Sequence, residues 1–255
     1  MLSGALVRSK LKALAMHVFV SSVLAMLVGY VVFFLWYPNP FGFASGGLQL
    51  FLLVIGVDLV LGPALTFVAF DPNKRRLLMV GDFVVIAILQ ISALVYGVNA
   101  VYDSRPVAVV FEVSRFRAVR AGELSSADLA KAPDGLGQLS LTGPVLMATR
   151  SLTTKEESDS IFLALEGKDI GMRPELWSPY DRELVRIKAG AKPIDALLAR
   201  YPNETMQIEK LASAKNLTLR DLGFYPVLSK QGIFTMLVNR NDGRFVAYVL
   251  LDGSL

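Results

Sequence analysis

The chain has 255 residues and no cysteine, and 53% of its residues are hydrophobic, which gives a mean hydropathy of +0.49. This apolar content exceeds that of an ordinary soluble domain. The net charge of the chain is +4. The residues beyond Asp103 hold 20 of the 26 Lys and Arg and 18 of the 22 Asp and Glu, so this larger part of the chain is close to neutral. Because no basic stripe with interleaved aromatic residues is present either, the composition argues against nucleic-acid binding.

Three long apolar runs dominate the N-terminal part and cover residues 13–36, 47–70 and 80–101. Their only formally charged side chains are Asp58 and Asp82. Each run is long enough for a helix to cross the ~30 Å hydrocarbon core of a bilayer. The first run exceeds the roughly 7–15 apolar residues of a signal peptide, so we interpret it as a retained anchor. The sequence therefore predicts three N-terminal transmembrane α-helices.

The basic residues near these runs predict their orientation. Arg8, Lys10 and Lys12 precede the first run, the second loop carries a basic triplet at 74–76, and the first loop, 37–46, has no charge. Short loops rich in Lys and Arg stay on the cytoplasmic side. The N-terminus and the second loop are thus expected in the cytoplasm, and the first loop on the opposite side.

This orientation divides the chain into three predicted parts. They are a cytoplasmic N-terminus over 1–12, a transmembrane domain over 13–104 and a domain over 105–255. The last of these would lie in the periplasm of a bacterium, with the protein in the inner membrane. The absence of cysteine is compatible with that oxidising compartment.

Polar side chains within the runs are candidates for contacts between helices. From a rise of ~1.5 Å per residue, Asp58 lies roughly 18 Å and Gln90 roughly 15 Å from the cytoplasmic ends of their runs, so the two can meet. His17 and Asp82 each lie about one turn inside their runs and form a second possible level. We expect a structural polar clasp from these four residues, with capping of a helix start as the main role of Asp82. A proton relay or partner docking at Asp58 is the alternative.

Catalysis has little support in the sequence. An intramembrane aspartic dyad would need Asp58 and Asp82 close enough to share a proton, but their expected depths differ by roughly 10–15 Å. His17 is the only histidine, and the chain has no G-x-S-x-G motif, P-loop or Gly-rich nucleotide fingerprint. We therefore expect no enzyme activity, no cofactor and no metal site.

The first loop and its neighbouring helix contain candidates for partner binding. Trp36 and Tyr37 are typical of the membrane interface, and Pro38 and Pro40 stiffen the turn that follows. Pro63 should bend the second helix and open space between helices. Anchoring explains the loop motif, but its position beside the C-terminal domain also makes it a candidate surface for a membrane-embedded partner.

The C-terminal part shows a mixed pattern typical of an α+β domain. Strands are predicted at 107–113, 115–120, 145–149, 234–239 and 244–251, with an Asp-Gly turn between the last two. A capping box predicts a helix from Thr153 to about 167, and shorter helices are predicted at 124–131, 179–188, 194–200 and 204–215. The first and last strands are expected to pair or to lie in one sheet.

The order of motifs resembles the TfpX/TfpZ-type family of type IV pilin accessory proteins. The resemblance rests on the segments 33–40, 57–66, 86–90 together with Asp82, 93–97 and 102–106. It extends more weakly through the opening strand and the closing hairpin of the C-terminal part.

This resemblance implies an inner-membrane protein that accompanies a pilin and assists its stability, its assembly or the dynamics of the pilus. The implied partners are the major pilin, the bilayer and the pilus assembly machinery. An unassembled pilin has an apolar helix in the membrane and a head outside it, so a three-helix protein with an external domain could contact both. An intramembrane or periplasmic pilin-modifying enzyme, and a component of transport or signalling, remain the alternatives.

Overall fold

The computed structural model describes residues 4–254, which form two compact units. The helical unit comprises residues 4–35 and 47–103, and the sheet unit comprises residues 36–46 and 104–254. The first loop therefore belongs with the C-terminal domain, a grouping that the sequence did not indicate. The fold class is confirmed: N-terminal helices that could cross a membrane precede a domain of strands and helices.

Within residues 4–254, three helices are long and apolar enough to span a membrane. Helix α1 covers Gly4–Tyr30 and continues as a π-helical segment, Val31–Trp36. After the short α2, Phe41–Ala44, the second long helix α3 covers Gly47–Ala69 and the third, α4, covers Arg76–Asp103. Their apolar side chains mostly point outward, as expected for helices surrounded by lipid.

Small residues bring the long helices close together, with α3 packed against both α1 and α4. A Cβ atom at Gly97 of α4 would lie 2.6 Å from Cγ2 of Val54 on α3. At Gly29 of α1, a Cβ atom would lie 3.1 Å from Cζ of Phe51. Helices in membranes commonly pack through such small residues, because the backbones can then approach closely.

The sheet unit contains a single sheet within the described residues. Its strands are β1 Pro106–Phe111, β2 Phe116–Arg120, β3 Val145–Thr149, β4 Trp177–Pro179, β5 Lys192–Pro193, β6 Leu222–Ser229, β7 Gly232–Asn239 and β8 Phe245–Val249. The order is β4-β3-β1-β2-β6-β7-β8, and β5 pairs with β6. β1 is parallel to β3 and β2 to β6, whereas the other pairs are antiparallel.

The helices of this unit are short. Besides α2, its α-helices are α5 Ser126–Leu129, α6 Thr154–Leu165, α7 Leu184–Gly190, α8 Ile194–Arg200 and α9 Thr205–Ser213. One core forms where α8 and α9 pack on β6, β7 and β8, around Leu197, Ile208 and Phe224. A second core lies on β1, β2 and β3 around Trp177, whose Nε1 donates to the carbonyl of Gly171 at 2.9 Å.

Most predicted elements of the C-terminal part are present, but the prediction lacked the short strands β4 and β5 and the long strand β6. Strand β6 was not predicted, although it is one of the two longest strands and joins the opening hairpin to the closing one. Gly223 and Pro226 interrupt its apolar pattern, and both residue types normally argue against a strand. The first and last strands therefore share one sheet without pairing directly.

Candidate functional site

A chain of polar side chains connects the three long helices of the helical unit. Gln90 on α4 donates from Nε2 to Oδ1 of Asp58 on α3 at 3.0 Å, and the same nitrogen lies 3.0 Å from Nε2 of His17 on α1. Nδ1 of His17 lies 2.7 Å from Oγ1 of Thr66 on α3. If the Gln90 amide donates to both partners, His17 Nε2 is an acceptor and the proton on Nδ1 is donated to Thr66. We call these four residues the polar clasp, in which Thr66 takes the place of Asp82 in the expected set.

The spacing of residues along α3 explains why the clasp forms there. Asp58, Gly62 and Thr66 follow each other at intervals of four, so they share one face of the helix. A Cβ atom at Gly62 would overlap Nε2 of Gln90 and would lie 2.8 Å from Nε2 of His17. The missing side chain at this position thus makes room for the groups that α1 and α4 contribute.

Asp82 is placed differently from its expected level beside His17. Its carboxylate pairs with Nζ of Lys74, in the turn before α4. The expectation that Asp82 caps a helix start is wrong, because α4 begins at Arg76, more than one turn earlier. Asp58 and Asp82 therefore have separate partners and form no carboxylate dyad in the described structure.

The polar clasp lines a cavity of about 490 Å³ between α1, α3 and α4. We call it the His17 cavity. Its other lining side chains are mostly apolar and include Met16, Val20, Phe83, Ile91 and Leu94. A second cavity, of about 430 Å³, lies between α3 and α4, and Asp58 and Gln90 line both.

The lining of the His17 cavity is suited to binding apolar groups. The apolar walls accept lipid tails or apolar side chains, and the clasp adds hydrogen-bonding groups at one level. Pro63 is buried in α3 beside Gly62, and its missing N–H leaves the carbonyl of Leu59 without its usual helical donor. Among residues 4–254, no three His, Cys, Asp or Glu side chains are grouped so as to hold a metal ion.

The first loop, 36–46, packs on the sheet rather than standing free at its surface. The ring of Phe41 is 5.8 Å from that of Phe234 on β7 and 5.3 Å from that of Tyr248 on β8, both in edge-on arrangements. Oγ of Ser229 donates to the carbonyl of Ala44. Phe41 is 2% exposed, so this loop forms part of the core of the sheet unit.

The loop residues singled out in the sequence are mostly enclosed. Tyr37 and Pro40 are buried, and Trp36 and Pro38 are partly buried. Burial raises the pKa of the Tyr37 hydroxyl, an effect that the nearby charges of Arg120 and Arg105 partly oppose. Phe43 is the loop ring that points outward, with 62% of its surface exposed. The sequence pattern of the loop did not distinguish Phe41 from Phe43.

Comparisons with known proteins agree on one class of relatives. The model of a family described as fimbrial assembly protein FimB matches residues 5–46. A fimbrial assembly protein of serogroup I from Dichelobacter nodosus is 34% identical over 243 residues, which is 94% of this chain and 95% of that protein. The serogroup E1 protein of the same organism is equally similar, with 34% identity over the same shares of both chains.

A third relative is shorter. The fimbrial assembly protein of serogroups C1 and C2 from Dichelobacter nodosus is 38% identical over 121 residues, which is 48% of this chain and 92% of that protein. No solved structure matches the chain. The family model covers α1 and the loop that follows it, whereas the two longer relatives match both units.

Proposed function

Because this chain belongs to the family of fimbrial assembly proteins, we propose that it is an inner-membrane accessory protein that binds an unassembled type IV fimbrial subunit. The similarity over 94% of the chain to fimbrial assembly proteins is the observation that carries this proposal. Within the family we assign it to the TfpX/TfpZ-type pilin accessory proteins, on the motifs described above. It would assist the stability or assembly of the pilin, or the dynamics of the pilus.

The proposed orientation places the sheet unit in the periplasm. Lys10 and Lys74 belong to the basic segments that are expected to face the cytoplasm. Lys10 donates to the carbonyl of Phe67 at 3.1 Å, so the N-terminal basic segment meets the end of α3 that leads to the basic triplet. The packing of loop 36–46 on the sheet supports the other half of this topology, because both must then lie on the same side of the membrane.

The His17 cavity is the proposed contact for the apolar helix of the subunit. Side chains of a partner helix can enter its apolar walls, and the clasp offers hydrogen bonds where lipid tails offer none. We propose that the protein acts by binding and without catalysis. Asp58 and Asp82 support this choice, since each is engaged by a different neighbour.

Recovery of the fimbrial subunit with the detergent-solubilised full-length chain tests the proposal. Ile91→Trp should fill the His17 cavity and lower recovery at least fivefold, because Ile91 lines it. Ile88→Trp is the matched control, since Ile88 lies on the same helix, is 59% exposed and lines neither cavity. Failure of the native chain to recover the subunit would overturn the function, and equal recovery by the two variants would overturn the role of the cavity.

A further inference from the structure

Helix α6 has the reverse of the usual orientation of an amphipathic helix. Its apolar side chains Ile161, Phe162 and Leu165 are 66%, 68% and 82% exposed, whereas Ser160 is buried against the domain. At 100° per residue, the three apolar positions lie together on the side opposite Ser160. A helix on the surface of a soluble domain normally turns its apolar side inward.

Specific polar contacts hold α6 in this orientation. The guanidinium of Arg150 binds Glu156 through two hydrogen bonds, of 3.0 and 2.6 Å. Nη1 of Arg173 donates to Oγ of Ser160 at 3.1 Å, and Thr153 forms a capping box with Glu156. Paired bonds between a guanidinium and a carboxylate fix geometry as well as adding free energy. The outward apolar face is therefore a built feature of the domain.

The charges beside this face indicate what can cover it. Glu157, Asp159 and Glu166 are exposed and form no ion pair within the described residues. The side chains of Lys155 and Lys168 are also exposed and form no ion pair there. Helices that lie on membranes carry mainly Lys and Arg beside their apolar face, because the lipid surface is anionic. The excess of carboxylates on α6 argues against lipid.

A second copy of the chain is also disfavoured. A two-fold symmetric contact would bring together two copies of the same surface, on which carboxylates outnumber lysines, and like net charges at an interface lower affinity. The complementary surface is that of a protein with an apolar patch bordered by Lys or Arg.

We propose that the outward face of α6 docks the soluble part of the fimbrial subunit, through a subunit patch that is apolar at its centre and basic at its border. This inference rests on the proposed function, which brings such a subunit to the side of the membrane that holds the sheet unit. Phe162 is the anchor of the contact, because it is the aromatic residue of this face and aromatic residues, Phe included, are enriched at protein interfaces.

Recovery of the fimbrial subunit with the full-length chain in detergent also tests this contact. Phe162→Ser should lower recovery at least tenfold, whereas Met206→Ser should leave it unchanged, because Met206 is 80% exposed but lies on a different helix, α9. Charge reversal by Glu157→Lys with Glu166→Lys should lower recovery at least threefold. Unchanged thermal unfolding of each variant would exclude loss of folding.

The outcomes separate the two proposals. If the native chain recovers the subunit and Phe162→Ser recovers it equally well, the α6 contact is wrong and the proposed function stands. If the native chain recovers none, both are wrong. Stronger recovery after the charge reversal would contradict a basic border on the subunit.

An environment-sensitive dye distinguishes the other occupants. Because the chain has no cysteine, Leu165→Cys can be labelled at that position alone, and this variant keeps the Phe162 ring. In nanodiscs the dye should report water until purified subunit is added, and should then shift to the blue. A blue shift before that addition would mean that lipid or a second copy covers the face, and it would overturn the proposal.

Discussion

The helical unit and the sheet unit place their apolar and polar residues in opposite ways. Between the long helices, the specific contacts are made by glycines and by the polar clasp. Most apolar side chains of these helices point outward. In the sheet unit, apolar side chains fill two interior cores, and α6 is the exception that turns apolar side chains outward. High hydrophobicity therefore says little about where a residue of this chain packs until its unit is known.

The two units also differ in what a single substitution should remove. Loss of an aromatic ring from the sheet unit creates a cavity in a close-packed core. In the helical unit, lipid can replace lost apolar contact, so steric fit and hydrogen bonds between helices should matter most.

We expect the largest effect from Phe41→Ala. Removal of a buried Phe costs about 3–5 kcal/mol, and here it takes away the ring that packs on Phe234 and Tyr248. The matched control is Phe43→Ala in the same short helix, since Phe43 is mostly exposed. Thermal unfolding and protease resistance of the sheet unit measure the difference. Equal stability of the two variants would show that the loop is not part of this core.

Gly62→Ala should have the next largest effect, because the added methyl group overlaps the Gln90 side chain and crowds His17. Overpacking of this kind costs about 1–3 kcal/mol. Gly56→Ala on the same helix is the control, since nothing lies within 4 Å of a Cβ atom there. The unfolding temperature in detergent should fall only for the substitution at Gly62. A fall of the same size at Gly56 would show that helix flexibility, and not the close approach, is responsible.

Gln90→Leu tests the clasp itself. It removes the donor to Asp58 and the contact with His17, and hydrogen bonds between membrane helices are worth about 0.5–2 kcal/mol. Asp58→Asn should cost less, because the amide oxygen still accepts from Gln90. Chemical denaturation in mixed micelles compares the two variants, and a larger loss for Asp58→Asn would contradict the hydrogen-bond assignment.

We expect the smallest effect from Glu156→Gln, which should remove a pH-dependent contribution to the stability of the sheet unit. Hydrogen bonds from Arg150 and Thr153 lower the pKa of Glu156 from 4.5 to about 2. A carboxyl whose pKa is lowered by folding stabilises the folded state at pH values above the pKa that it has in the unfolded chain. This stabilisation is lost as the pH falls from about 4.5 to 2. Glu156→Gln should therefore be less stable than the native chain at pH 7 and equal to it near pH 2.

Unfolding temperatures between pH 7 and pH 2 measure this dependence. Glu157→Gln is the control, because Glu157 is exposed and forms no ion pair within residues 4–254. If the difference in unfolding temperature between Glu156→Gln and the native chain stayed constant across this range, the ion pair with Arg150 would contribute no pH-dependent stability.

The sequence predicted the long helices well because their signal is composition and length. Counting along the predicted helices also placed Asp58 and Gln90 at one level, and these two side chains are hydrogen-bonded. The four-residue spacing of Asp58, Gly62 and Thr66 was visible too, but it does not reveal that His17 completes the clasp, since pairing between distant helices is not local information. The same limit explains why the capping role predicted for Asp82 is wrong. That prediction depended on where α4 begins, and the helix begins at Arg76, more than one turn before Asp82.

The sheet unit shows where a local pattern fails. The capping box at Thr153 predicted the start of α6, but it does not predict that the apolar side faces outward, because that depends on contacts with Arg150 and Arg173, which flank the helix. The loop at 36–46 was interpreted as a membrane-interface motif, and its packing on β7 and β8 depends on strands almost 200 residues later. Packing in the folded domain, rather than propensity, decides both features.

Crosslinking in living cells tests most directly whether the helical unit holds an unassembled fimbrial subunit. Met16 and Met26 lie on the same helix and are both 65% exposed, but only Met16 lines the His17 cavity. A photo-reactive residue at position 16 should yield a covalent product with the apolar helix of the subunit, and one at position 26 should not. Crosslinks to lipid alone, or equal subunit products from both positions, would contradict this function for the cavity.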